Sequence, residues 1–195
     1  MSSQTGLLHQ DLLILQQIRN GLSPEFDILD DQEQVVGMVG GTESGARQFL
    51  LGPREFDVLD ADGRRLAHVT DVRELWRDTY EIMRGDGSML AIVTRKLGFF
   101  SHRFSIELIT GEVFMVKGDF FGREFNVVDA DDEEIVAQAS RERAGFAKAL
   151  LGHDRYALYY PVGTSPDRRL AILGGMIALD LMRDKSAHSA AINST

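Results

Sequence analysis

The chain contains no cysteine, only four prolines and a single tryptophan among its 195 residues. The absence of cysteine excludes disulfides, thiolate metal sites and cysteine nucleophiles, and it is compatible with the cytoplasm, where we expect the protein to be. The N-terminal stretch MSSQTGLLHQD has neither a basic region nor a long apolar run, so no signal peptide is expected. With 19 glycines against so few prolines, the composition is typical of a turn-rich β protein.

Positive charge is also scarce. The chain has 21 Lys and Arg against 30 Asp and Glu, a net charge of −9 at pH 7. Nucleic acids and anionic lipid surfaces both attract an extended basic face. The balance therefore excludes nucleic acid as an expected partner and argues against broad adhesion to anionic lipid, while a local basic patch stays compatible with it.

What the chain has in abundance is one short pattern, which occurs five times. In each unit an aromatic residue opens an apolar alternation, a turn follows, and an apolar residue arrives ten positions after the aromatic one. Alternation with period two indicates a half-buried strand, and the Asp or Gly residues in each unit favour a tight turn. Each unit is therefore predicted to be a β-hairpin. The five pairs are Phe26 with Val36, Phe56 with Leu66, Tyr80 with Leu90, Phe104 with Phe114, and Phe125 with Ile135.

The unequal spacing of the units favours one antiparallel sheet over a solenoid or a propeller, in which repeats stack at a fixed period. Two more strands are predicted outside the hairpins. One covers residues 12–18, for which a short helix is the alternative, and the other covers residues 156–160 and ends at Pro161. Residues 141–151 are compatible with either a short helix or a long loop. The sequence thus predicts a mainly β fold of about twelve strands.

One segment is apolar on nearly every side. Residues 170–182 read LAILGGMIALDLM and follow the helix-start signal of Pro166 and Asp167. Such a helix must be buried in protein or lipid. Its thirteen residues rise only ~20 Å, short of the ~30 Å hydrocarbon core, and Asp180 makes spanning costlier, so no transmembrane span is expected. Rolling the sheet around the helix hides the apolar surface and the sheet edges together, which predicts a closed antiparallel barrel around a central helix at about 167–183.

The domain organisation follows from these elements. A chain of this length needs only one core. Residues 1–9 are expected to be a flexible N-terminus, and residues 10–184 a single barrel domain. Residues 185–195, which have Ser, Ala and Asn without apolar periodicity, are expected to be a disordered tail.

Three segments resemble the LURP-one-related family: DTYEIMRGDGSMLAIVTRKLGFFSHRFSIEL, VKGDFFGREFNVVDADDEEIVAQASRE and DRYALYYPVGTSPDRRLAILGGMIALDLM. The most specific parts are residues 117–122 (KGDFFG) and the apolar C-terminal helix with Asp180. The resemblance covers roughly residues 10–184. This family belongs with the phospholipid scramblases and the C-terminal domains of tubby proteins. The resemblance therefore implies the tubby C-terminal-like fold, a closed barrel threaded by a central helix.

The resemblance implies a binding module rather than an enzyme. Tubby domains bind phosphoinositide headgroups, scramblases are associated with calcium-dependent lipid movement, and LURP-one-related members mostly lack a defined biochemical activity. Of the acidic segment that scramblases associate with calcium, only Asp154 is retained here, whereas calcium takes about six to eight oxygen ligands. The expected function is a non-catalytic cytoplasmic module that recognises membrane phospholipid headgroups and is peripheral at the membrane. The alternatives are a protein-interaction or ligand-storage barrel, and phospholipid scrambling.

A basic turn between the third and fourth hairpins is the candidate ligand site. Its charged side chains are suited to hold a lipid phosphate while its phenylalanines enter the bilayer interface. The alternative is an ordinary solvated turn with Phe99 or Phe100 packed against the end of the barrel. The six candidate residues are Arg95, Lys96, Phe99, Phe100, His102 and Arg103.

No other constellation in the sequence supports a metal, cofactor or catalytic site. The Asp-rich stretches 60–63 and 129–132 lack the complete calcium-loop pattern with its terminal Glu, so turn caps are the favoured interpretation. The histidines lack metal-ligand spacing, and Ser101 beside His102 is sequence adjacency rather than a triad. Neither a metal nor a cofactor is expected, and the expected partners are a membrane phospholipid or a protein.

Overall fold

The computed structural model describes residues 6–18, 25–41, 55–73, 78–97, 102–118, 124–142 and 155–192. In these ranges the chain forms a short 3-10 turn, Leu7–His9, then twelve strands, and a helix, α1, at Pro166–Ile192. The strands are β1 Leu12–Ile18, β2 Glu25–Leu29, β3 Val35–Gly41, β4 Glu55–Asp60, β5 Arg65–Arg73, β6 Asp78–Arg84, β7 Met89–Leu97, β8 His102–Leu108, β9 Val113–Gly118, β10 Glu124–Asp129, β11 Ile135–Glu142 and β12 Arg155–Tyr159.

The twelve strands form one closed antiparallel barrel. The pairs β2–β3, β4–β5, β6–β7, β8–β9 and β10–β11 are the five predicted hairpins, and β12 pairs with both β11 and β1 to close the sheet. The predicted barrel is therefore confirmed, and residues 12–18 form a strand rather than the alternative helix. The segment 141–151 begins in β11, and its remainder lies outside the described residues.

The aromatic residue that opens each hairpin packs in the core. Phe26, Phe56, Tyr80, Phe104 and Phe125 are each at most 6% exposed. The apolar residue ten positions later is also buried in the first, third and fourth hairpins, and Leu66 is partly buried against the core.

The fifth hairpin departs from the pattern. Ile135 is 40% exposed, and Val136 occupies the buried position instead. The reason is the turn at 129–134, in which the left-handed residue, Glu133, comes one position later than Gly63 does in the turn at 60–64. Because side chains alternate across a strand, one extra turn residue moves the next residue into the core.

Helix α1 fills the interior of the barrel. Every residue from 169 to 179, together with Met182, is buried. Gly174 faces Ile82 on β6 and Gly175 faces Ile106 on β8, so closely that a Cβ atom built on either glycine would lie 2.8 Å and 2.5 Å from the isoleucine Cδ1. The absence of side chains at these two positions lets the helix backbone approach the wall, and the central helix is confirmed.

Both ends of the domain differ from expectation where the structure describes them, and residues 1–5 and 193–195 lie outside the described residues. The tail was expected to be disordered from residue 185 after a helix ending at about 183, whereas α1 continues to Ile192. Alanine has the highest helix propensity, and the alanines at 187, 190 and 191 extend a helix whose costly nucleus is already formed in the core. At the N-terminus, residues 1–9 were expected to be flexible, but Leu7 lies in the core, where its side chain packs on the bare backbone of Gly37.

The five hairpin turns and the start of α1 lie at the same end of the barrel, which we call the turn end. The helix start is held there by Arg84 of the β6–β7 hairpin and Glu112 of the β8–β9 hairpin. The opposite end, where β7 ends at Leu97 and β8 begins at His102, is called the connection end.

The turns share a left-handed residue next to the returning strand. Glycine occupies this position in three hairpins, whereas Glu33 (φ 59°) and Glu133 (φ 62°) occupy it in the first and fifth. Each glutamate forms an ion pair, Glu33 with Arg155 at 3.2 Å and Glu133 with Lys117 at 2.6 Å. Glycine would adopt this left-handed conformation with less strain, but only the glutamate side chain can form the ion pair.

Candidate functional site

Arg95 is the candidate site residue whose side chain the structure places, and it lies inside the connection end. Its side chain is 8% exposed, with Nη1 3.6 Å from Oδ2 of Asp78 on β6. Its guanidinium carbon is 5.8 Å from the ring centre of Phe104 on β8. Arg95 therefore joins three neighbouring strands and is an anchor of the barrel wall.

The next residues along β7 and β8 form the final rungs of the ladder. Lys96 lies directly opposite Arg103, and Leu97 lies opposite His102. Like charges on residues directly opposite each other across a strand pair are unfavourable. The register thus brings two basic residues together on one rung in a chain whose net charge is −9. The candidate residues Phe99 and Phe100 lie outside the described residues.

Two acidic residues also lie at this end of the barrel, and neither is among the six candidate residues predicted from the sequence. Asp71 on β5 is buried and lies opposite Tyr80, and Asp78 lies opposite Arg95. The signal for both is their place in the alternation, since Asp71 follows the buried Val69 by two residues and Asp78 precedes the buried Tyr80 by two. The interior of the barrel is apolar along α1 but charged at this rim.

Ion pairs at the turn end fix the start of α1. Arg84 Nη2 lies 2.8 Å from Asp167 Oδ2, and Nε of Arg168 donates a hydrogen bond of 2.7 Å to Glu112 Oε1. Burial alone would raise the pKa of Glu112, but hydrogen bonds from Thr110 and Arg168 outweigh it and the pKa is lowered. The carboxylate is therefore held ionised against the helix.

Arg169 is a buried cation at the same end. Its Nη2 lies 2.5 Å from Asp11 Oδ1, and its Nε donates to the Thr164 carbonyl at 2.9 Å. The Tyr160 hydroxyl donates to the Arg169 carbonyl at 3.1 Å, and burial raises the pKa of this phenol. The arrangement closes the turn end around the helix and keeps the tyrosine protonated, which is a structural role.

The aspartates in the turns bind their own backbone, as predicted. Asp60 Oδ1 accepts hydrogen bonds from the amides of Asp62 and Arg64, and Asp129 Oδ1 accepts one from Asp131. These are Asx-type turn caps. Across the described part of the chain, no three His, Asp or Glu side chains are grouped so that they could hold a metal ion.

Comparisons with known proteins agree with this architecture. The chain resembles the X-ray structure of a protein from Arabidopsis thaliana with a TM-score of 0.59 and 19% sequence identity, over 88% of this chain and 91% of that chain. Identity this low shows a shared fold alone. None of the helical segments that the structure describes is both long and apolar enough to cross a bilayer. A search of curated proteins returns no match.

The family comparison is more specific. The family model described as LURP-one-related matches residues 11–169, which run from the residue before β1 to the first turn of α1. The match contains all twelve strands and the Lys96–Arg103 rung. The chain therefore belongs to the LURP-one-related family.

Proposed function

We propose that this protein is a non-catalytic module that binds the phosphate group of a membrane phospholipid at its connection end, between β7 and β8. Membership of the LURP-one-related family and the closed barrel fold support a non-enzymatic binding module. The observation that carries the location is the register that places Lys96 directly opposite Arg103. Two neighbouring positive charges repel each other, and binding one anion between them replaces this repulsion with attraction.

The filled interior supports recognition on the outside of the barrel. In ligand-carrying barrels the lumen holds the ligand, but here α1 occupies it and its glycines already touch the wall at Ile82 and Ile106. A phospholipid headgroup therefore has to meet the outer wall or an end. The strand ends at Leu97 and His102 are such a place.

The six candidate residues divide into two roles in this proposal. Arg95 is neutralised by Asp78 and holds β7 in register, so it positions its neighbours rather than binding the ligand. Lys96 and Arg103 supply the charge, with His102 beside them. Phe99 and Phe100, in the connection between the two strands, are proposed to enter the bilayer interface. The cytoplasmic leaflet, which is rich in anionic lipid, is the surface that suits such a contact.

Vesicle flotation with matched variants tests the site. The double variant Lys96→Gln, Arg103→Gln removes the basic rung. The control variant Arg64→Gln, Arg65→Gln removes the same charge from two exposed cations at the turn end that are already paired with Asp60 and Asp57. A basic residue near an anionic surface contributes about 1 kcal/mol, so the rung variant is expected to lose about 2 kcal/mol, roughly thirtyfold in affinity for phosphatidylserine vesicles, and the control much less.

Two results would contradict the proposal. Equal losses in both double variants would show that only net charge matters. Equal absence of flotation with neutral and anionic vesicles at low salt would remove lipid binding altogether and favour the alternative of a protein-interaction barrel.

A further inference from the structure

The negative charge of the protein is concentrated at the turn end. It lies in residues 6–11, in the five turns at 30–34, 60–64, 84–88, 108–112 and 129–134, and in the segment 160–169, which together contain 14 Asp and Glu against four Arg. Arg155 and Lys117 pair with two of these carboxylates, Glu33 and Glu133, so the net charge of the turn end is −8. The whole chain carries −9, so all its other residues together sum to −1. One end of the barrel therefore holds nearly all of the charge excess.

The concentration follows from the hairpin architecture. Turn capping uses aspartate, as at Asp30 and Asp60, and antiparallel pairing brings all five hairpin turns to the same end. The connection end has no such requirement, and the basic rung of Lys96 and Arg103 lies there. The topology thus separates the charges along the barrel axis, although they are interspersed in the sequence.

The separation is long compared with electrostatic screening. Nine residues of β7, inclined as barrel strands are, span about 20 Å along the axis, whereas the Debye length is about 8 Å at physiological ionic strength. An anionic surface that touches the connection end is therefore screened from the turn end. The same surface brought to the turn end meets the net charge of −8.

We propose that the protein stands on an anionic phospholipid surface with its barrel axis upright, its connection end in contact and its turn end in solution. This inference rests on the proposed lipid binding and adds the orientation and its cause. The acidic turn end is not a binding site but a repulsive face that selects one orientation.

Two single-cysteine variants test the orientation. The native chain has no cysteine, so one introduced residue takes an environment-sensitive fluorophore such as NBD without background. Glu124→Cys places it at the start of β10, at the connection end, and Asp62→Cys places it in the turn at 60–64. Both native residues are exposed and each replacement removes one carboxylate, so the two variants have the same net charge.

With vesicles of phosphatidylcholine and phosphatidylserine, the label at 124 is expected to shift to the blue and to be quenched by spin-labelled lipid, while the label at 62 is unchanged. Flotation of the same samples separates the two proposals. Vesicles that float protein while the label at 62 responds, or while neither label responds, would overturn the upright orientation and leave lipid binding intact. Absence of flotation would overturn both.

A charge reversal tests the cause. Asp31→Lys, Asp131→Lys and Glu134→Lys, introduced into the Asp62→Cys variant, change exposed residues and move the turn-end charge from −8 to −1. The label at 62 is expected to begin to respond to anionic vesicles in this background. A label that stays silent, with flotation retained, would show that the acidic end does not select the orientation.

Discussion

Gly174 packs against Ile82 of β6 with no room for a side chain, and this contact permits a quantitative test of the central helix. In Gly174→Ala the new Cβ would lie 2.8 Å from Ile82 Cδ1. Ile82 is fully buried in a close-packed core, so its methyl group can yield only by displacing neighbouring core atoms. The substitution therefore sets an intrinsic helix gain against a steric cost.

The two effects have comparable size. Alanine is favoured over glycine in a helix by about 1 kcal/mol, whereas overpacking a core costs about 1 to 3 kcal/mol. We expect Gly174→Ala to destabilise the protein by about 1 kcal/mol. Ile82→Val alone creates a small cavity and is expected to cost about 1 kcal/mol.

The double variant is expected to be close to the native protein in stability. Valine lacks the δ-methyl, so the nearest atom to the alanine Cβ becomes Cγ2 at 3.3 Å, and the helix gain is realised without the clash. The coupling free energy between the two substitutions should thus be about 2 kcal/mol. Urea unfolding of all four proteins, followed by circular dichroism and by fluorescence, measures it, and coincident curves check two-state behaviour.

Additivity within about 0.5 kcal/mol would refute the packing of α1 against β6. The neighbouring pair is the control. For Gly175→Ala with Ile106→Val, the remaining Cγ1 still lies 3.0 Å from the new Cβ, so the rescue should be smaller than at Gly174.

The other predictions concern turn glutamates and acid stability. Glu33→Gly is expected to lower the free energy of unfolding by about 1 to 3 kcal/mol, because it leaves the buried guanidinium of Arg155 without its carboxylate partner; unchanged urea stability would contradict this role. Glu133→Gly changes an equivalent left-handed position, but its ion pair is exposed and glycine relieves the backbone, so we expect neutral or slightly raised stability, and a loss like that of Glu33→Gly would be the opposite result. Glu112→Gln should flatten the acid side of the stability profile. The lowered pKa of Glu112 stabilises the folded state above the usual value of 4.5, and this stabilisation is lost as pH falls through the folded-state pKa. Thermal melts from about pH 6 to about pH 3 measure it, and parallel profiles for the native protein and the variant would exclude the effect.

The hairpins could be predicted because their information is local. Phe56 and Val58 alternate with Asp57, and the turn residues follow at once, so strand, face and turn are determined within a few positions. The same pattern fails for Ile135, because a single extra residue in the turn exchanges the two faces of the strand. The turn's length depends on its backbone conformation, which composition alone does not specify.

The surroundings of the candidate site could be predicted only in part. Grouping Arg95 with its basic neighbours treats the arginine as a surface charge at the end of β7, whereas its side chain is buried. Alternation with Ala91 and Val93 is the signal that it faces the interior, and the proximity of Asp78 appears only when β6 and β7 pair. A buried cation needs an anionic partner, and the partner of Arg95 is Asp78 on a different strand.

By itself the sequence determined the strands, the turns and the presence of an apolar helix that has to be buried, because each of these depends on residues close together in the sequence. Only the tertiary structure decided which residues from distant parts of the chain lie next to one another. Lys96 lies opposite Arg103 in the strand register, Gly174 contacts Ile82, and the aspartates of separate turns lie together at one end. Charge and packing act through space, so they are settled only when the closed sheet brings distant segments together.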